Sequence, residues 1–244
     1  MGLLAWFGDK IAGYLQKPGN ANPNPPTSDF TALEHAIEVG DVLLIDGNSR
    51  IATAIKYLTQ STWSHAALCV EKDDAKGVML LEADVVEGVR LVPLAYYQSA
   101  HTRICRPIGI RAEDMAKAVD YAKNRLGHQY DTGHILDLAR YLISTPPVPV
   151  EWRRSLLTFG SGDPTKAICS SLIAQAFQSI HYPILPERLR QKFIKRHHSQ
   201  YVPGDFDISP YFAIIKPNLR EQFDPYQLQW HEPSADPEEG DRAH

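Results

Sequence analysis

The stretch TWSHAALCVEKDDAKGVMLLEA, residues 62–83, decides how the rest of the chain is read. It contains two apolar runs, His65 to Glu71 and Val78 to Ala83, separated by a polar break. Both are short and bounded by turn-forming residues, as strands of an antiparallel sheet are. Three further runs repeat the pattern on either side: Val42 to Ile45, Val89 to Val92 and Thr102 to Arg106, each bounded by Gly, Asp, Asn or Pro. Two polar residues stand out in the opening stretch. His65 follows Thr62-Trp63-Ser64 and opens the apolar run Ala66 to Val70, so it stands where a rigid element leaves a loop. Glu82 interrupts Val78-Met79-Leu80-Leu81-Glu82-Ala83. A lone carboxylate there must be paired if it is buried, or else face water at a strand edge.

Working outward, helical spacing replaces alternation. Between the first two strands, Ser49 to Gln60 places Ile51, Ala54, Ile55 and Leu58 on one face, with Ser49 or Asn48 as cap. After the sheet, Arg111 to Leu126 has acidic residues in its first turn, basic ones in its last and Gly127 as the expected stop. Ile135 to Ile143 reads as a second helix, closed by Pro146 and Pro147. A third runs to about Ile180 on a stripe of Ile168, Leu172, Ile173, Ala176 and Phe177, and a fourth spans about Pro186 to Lys195. Strands followed by helices in one unit predict an α+β fold, an antiparallel sheet packed against helices.

The ends read differently. Residues 1–16 form an amphipathic helix in this reading, with Leu3, Leu4, Phe7, Ile11, Tyr14 and Leu15 on one face; residues 17–30 are a linker rich in Pro, Asn and Gly. The compact domain covers 31–223, and 224–244 reads as a disordered tail. The face within residues 3–15 has two partners open to it: protein, through self-association or docking on the chain's own body, and a membrane interface in peripheral contact.

Composition excludes several function classes. Of 244 residues, 43% are hydrophobic and 22% charged, and the net charge of -4 has no basic stripe, so no nucleic-acid partner is expected. No apolar run reaches the roughly 18 residues of a membrane-spanning helix. Met1 to Phe7 carries no positive charge, so no secretory signal is read and a cytoplasmic or peripheral membrane location is expected. There is no HExxH spacing, CxxC pair or Gly-rich phosphate loop, so neither metal nor cofactor is expected.

The three cysteines, Cys69, Cys105 and Cys169, do not make a disulfide framework. Cys69 and Cys105 lie inside strand runs, where a buried, inert thiol is the expectation. Cys169 is different. Asp163 and Pro164 supply a helix cap and an early-helix proline shortly before Ile168-Cys169-Ser170-Ser171-Leu172. That puts Cys169 near a helix start, where unpaired N–H groups and the helix dipole favour thiolate; a small buried core residue is the alternative. An activated cysteine needs a base and the base an orienting group, roles open to His65 and Glu82.

Taken together, Gly40-Asp41-Val42-Leu43-Leu44, Trp63-Ser64-His65-Ala66-Ala67-Leu68, Leu81-Glu82-Ala83, Gly88-Val89-Arg90-Leu91, Gly127 to Asp131, Cys169-Ser170-Ser171-Leu172-Ile173 and Pro203-Gly204-Asp205-Phe206 resemble the YiiX/YebB-like group. That group belongs to the circularly permuted papain-like (NlpC-type) superfamily, which also holds the lecithin:retinol acyltransferase relatives. The resemblance covers about residues 38–215. It implies a permuted papain-like fold in which Cys169 is the nucleophile, His65 its base, Glu82 the residue that orients the imidazole, and Tyr130 a donor near the cysteine. The implied activity is hydrolysis of an amide or ester of a peptide-like or lipid-like acyl substrate through an acyl-thioester. Acyl transfer to an amine or alcohol, or a non-catalytic lipid- or peptide-binding module, are the alternatives.

Overall fold

The computed structural model of the chain describes residues 24–26, 29–73, 75, 77–84, 87–128, 169–186, 197–198 and 201–217. The strand runs form β1 (Val42–Asp46), β2 (His65–Asp73), β3 (Gly77–Asp84), β4 (Gly88–Pro93) and β5 (His101–Pro107), each within two residues of the boundaries that alternation and turn formers indicated. A sixth strand, β6 (Phe212–Ile215), was not among those runs. The six form one antiparallel sheet in the order β4-β3-β2-β1-β5-β6. The chain is α+β.

Around the sheet stand α1 (Phe30–Ala36), α2 (Arg50–Thr59), α3 (Ala112–Lys123), α4 (Cys169–Ser179) and the short α5 (Pro203–Asp207). Side chains that alternate along the strands supply two separate cores. Val42, Leu44, Ala66, Leu68 and Leu81 pack on one side with Met115, Ala118 and Ala122 of α3 and Leu172, Ile173 and Phe177 of α4. Leu43, Ile45, Ala67, Cys69 and Leu80 pack on the other with Leu33 of α1 and with Ile37. Because both faces are covered, all five residues of β1 are buried, which is why its sequence is an unbroken apolar run up to Asp46.

Local chemistry sets the helix ends. Ser49 caps α2, its hydroxyl accepting from the Ala52 N–H at 3.2 Å, and Asp29 caps α1 by accepting from the Ala32 N–H at 2.8 Å. Helix α1 therefore starts at Phe30, inside the stretch read as linker. Within that stretch, Asn24 Nδ2 also donates to Asp46 at 2.6 Å, and the Pro25 carbonyl accepts from His101 at 3.0 Å. Gly127 is not the stop of α3. The helix ends at Lys123, and Gly127, at φ +79°, turns the chain so that its N–H donates to the Val89 carbonyl of β4 at 2.9 Å. At the entry to β1, Gly40 has φ +94°, and a Cβ there would lie 2.2 Å from Met115 Sδ, so both conformation and space require glycine.

Residues 3–15, the helix read over Ile135–Ile143, the cap at Asp163 and Pro164, and residues 224–244 lie outside the described residues, as does all but Pro186 of the helix read over Pro186–Lys195.

Candidate active site

His65 is the first residue of β2, paired with Ile45 of β1, and the loop before it is pinned from far along the chain. Trp63 Nε1 donates to Asp207 at 3.0 Å, Arg103 donates to the same carboxylate at 2.6 Å, and the Arg103 guanidinium lies 5.0 Å from the Trp63 ring centroid. Ser64 Oγ accepts from the Gly47 N–H at 2.8 Å. A side chain leaving the end of so constrained a strand is aimed by its backbone.

Glu82 lies in β3 directly opposite Ala67, two residues along β2 from His65 and therefore on the same side of the sheet. That diagonal places Glu82 Oε2 2.8 Å from His65 Nε2. The carboxylate is not a strand-edge charge facing water: its side chain is 1% exposed. Arg90, directly opposite in β4, donates from Nε and Nη2 to Oε1, both at 2.8 Å. The Tyr97 hydroxyl, at the end of the 3-10 helix Leu94–Tyr97, donates to Oε2 beside the imidazole. Burial alone would push this carboxyl up. The hydrogen bond and charge of His65, then the Tyr97 hydroxyl and Arg90, outweigh it and hold Glu82 at about 2 against an ordinary 4.5.

Cys169 opens the described part of α4, and the residues just after it hold it in place. Ser170 Oγ donates to the Tyr201 carbonyl at 2.7 Å, while Leu172, Ile173, Ala176 and Phe177 are buried in the core between α4 and the sheet. Cys169 meets His65 side chain to side chain. Burial disfavours charge on the imidazole, yet the sulfur of Cys169 on one side and Glu82 on the other overcome it and raise His65 from 6.5 to about 10. Nε2 is taken by Glu82, so Nδ1 is the ring nitrogen left for the thiol. With 23% of its side chain exposed, the imidazole keeps an open edge toward solvent.

Among the described residues, the other two thiols have no such neighbour. Cys69 is fully buried, and burial followed by the nearby Asp41 charge pushes its thiol up to about 12. Burial raises Cys105 in the same way. All three cysteines are free. Among the described residues, no group of three His, Cys, Asp or Glu is placed to hold a metal ion.

The structure thus brings His65, Glu82 and Cys169 together, while Tyr130 lies outside the described residues. Two residues with no role assigned from sequence stand in the same cluster. Arg90 had a local signal: Glu82 and Arg90 flank the Asp84–Gly88 turn at equal spacing, so a hairpin sets opposite charges against each other. Tyr97 had none, because a 3-10 turn after a proline carries no periodicity.

Comparison with known proteins agrees with this architecture. A family described as "permuted papain-like amidase enzyme, YaeF/YiiX, C92 family" matches residues 36–144, a span that includes His65 and Glu82 and stops before Cys169. Among solved structures, the chain is similar to the metalloprotein yiiX from Escherichia coli O157:H7. The two are 17% identical with a TM-score of 0.50, over 74% of this chain and 97% of that one. No curated protein matched in a sequence search. The fold is therefore the permuted papain-like one, and the family match supports a cysteine hydrolase in general.

Proposed function

We propose that this chain, a permuted papain-like protein of the YiiX type, hydrolyses an amide bond of a peptide-like substrate through a thioester on Cys169. The observation that carries the reading is the buried Glu82 carboxylate 2.8 Å from His65 Nε2, with the same imidazole set against Cys169 of helix α4. The matched family's description as an amidase favours an amide over an ester.

The chemistry follows from the arrangement. Cys169 gives its proton to His65 Nδ1, and Glu82 stabilises the imidazolium by accepting from Nε2–H. The thiolate adds to the carbonyl carbon. The resulting oxyanion is met by the backbone N–H of Cys169. His65 then protonates the amine nitrogen, the C–N bond breaks and a thioester remains. Water adds to that thioester as His65 takes its proton. The C–S bond breaks, and the acid leaves as the thiolate–imidazolium pair is restored.

A chromogenic acyl-peptide p-nitroanilide tests the sequence of steps, with intact-mass analysis of samples quenched during turnover. The expected result is release of nitroaniline together with an acyl adduct on the peptide containing Cys169, both lost in Cys169→Ala. Turnover that survives Cys169→Ala would defeat the reading.

A further inference from the structure

We propose that Tyr97 is a positioning residue for the Glu82–His65 pair, with Arg90 as its counterpart on the other carboxylate oxygen. This inference rests on the hydrolase reading above. The geometry behind it is a division of one carboxylate among its neighbours. Oε2 accepts from both His65 Nε2 and the Tyr97 hydroxyl, while Oε1 accepts from two nitrogens of Arg90. A carboxylate has about four lone-pair positions, so this one is filled. Two donors from one guanidinium converge on Oε1 and hold that end of the carboxylate. Tyr97 occupies the second position on Oε2 and leaves a single direction for the imidazole.

The holders are themselves held. The Tyr97 ring meets the Tyr96 ring edge-on at 5.1 Å between centroids and lies 6.2 Å from the His65 ring. Arg90 is paired with Glu87, stands 4.0 Å from Asp84 and lies over Tyr96 at 5.6 Å. Among the described residues, the charged and titratable groups facing His65 include Cys169 from α4, Glu82 from β3 and Tyr97 from the 3-10 helix; Glu82 faces Arg90 of β4 in addition. Burial and the Glu82 charge raise the phenol well above its ordinary 10, so it stays a donor at every pH where the site works.

The chemical consequence is a tuned acid. Each hydrogen bond that Glu82 accepts elsewhere stabilises its charge and weakens its pull on Nε2–H. Without the Tyr97 hydroxyl, Oε2 leans on the imidazolium alone. The proton opposite Cys169 is then held more tightly and passes less readily to the leaving amine.

The test reads the pair directly and needs no substrate. The rate of iodoacetamide alkylation at Cys169 is measured in brief exposures across pH for the full chain, Tyr97→Phe, Arg90→Lys and His65→Ala. Unlabelled Cys69 and Cys105 report that each variant is folded. Tyr97→Phe keeps the ring and its packing and is expected to move the alkaline step, where the imidazolium loses its proton, upward by about half to one pH unit. Arg90→Lys keeps the charge with a single donor and moves the step the same way by less. If Tyr97→Phe fails to fold, Arg90→Lys decides the matter. An alkaline step at the wild-type pH in the folded variants would assign both residues to structure alone and overturn the inference. A His65→Ala protein with the wild-type profile would instead overturn the Cys169–His65 pair on which the hydrolase reading stands.

Discussion

Replacing Glu82 by Gln removes one negative charge from a site where almost no water can compensate. The side chain is 1% exposed, and its drop from 4.5 to about 2 corresponds to about 3 kcal/mol of preference for the ionised form in the folded chain, at about 1.36 kcal/mol per pH unit. Gln is nearly the same shape, so the loss is electrostatic and directional. Its amide must turn an N–H₂ toward either Arg90 or His65. Facing Arg90, it sets donor against donor and strands a guanidinium. Facing His65, it demands an acceptor at Nε2, which moves the ring proton to Nδ1 and removes the base for Cys169. Either way, Cys169 should alkylate at least 100-fold more slowly at neutral pH, in line with the 10²- to 10⁴-fold contribution typical of a positioned base. Stability should fall by about 3 kcal/mol, and Tm by about 6–12 °C for a domain of this size. The pH dependence has a definite sign. The folded-state pKa of Glu82 is depressed, so its contribution is complete above 4.5 and disappears as pH falls toward 2. Urea denaturation of wild type and E82Q should therefore differ fully at pH 7 and converge in acid. Equal stability at pH 7, with alkylation of Cys169 unchanged, would refute the reasoning.

Thiol mapping provides a second measurement: iodoacetamide at pH 7.5 should label Cys169 ahead of Cys69 and Cys105, whose thiols burial pushes up, and a strand cysteine labelled first in folded protein would remove Cys169 as nucleophile. His65 is raised to about 10, so its contribution is complete below 6.5 and is lost as pH climbs through about 10; the imidazolium signal in a histidine NMR titration should accordingly persist well past pH 8. At the other end of β1, Arg106 donates to both oxygens of buried Asp41 at 2.9 and 2.8 Å, so Arg106→Ala should cost about 3–5 kcal/mol in urea denaturation by leaving a buried carboxylate short of its cation. The Cys169 alkylation rate of the folded variant should not change.

What the sequence determined by itself is whatever neighbouring residues express. Five strands and the helices α2, α3 and α4 were legible because alternation, helical spacing and caps such as Ser49 act within a few residues. Glu82 was conspicuous for a related reason: a carboxylate in an apolar strand implies a partner before the partner is known. What only the tertiary structure decided is who meets whom. Strand β6 joins β5 at the far edge of the sheet, Asp207 pins Trp63 from 144 positions away, and Tyr97 shares an oxygen with a histidine 32 residues before it. Helix α1 went unread because it is only seven residues long, with Leu33 buried and Phe30 and Ala36 partly buried against the same core, too short a run to show a helical period. Such contacts leave no local period, since the burial that rewards them comes from surfaces brought together by the whole fold. The sequence could therefore nominate Cys169, His65 and Glu82, while the sheet register and the packing of α4 decided that a thiol, an imidazole and a carboxylate share one site.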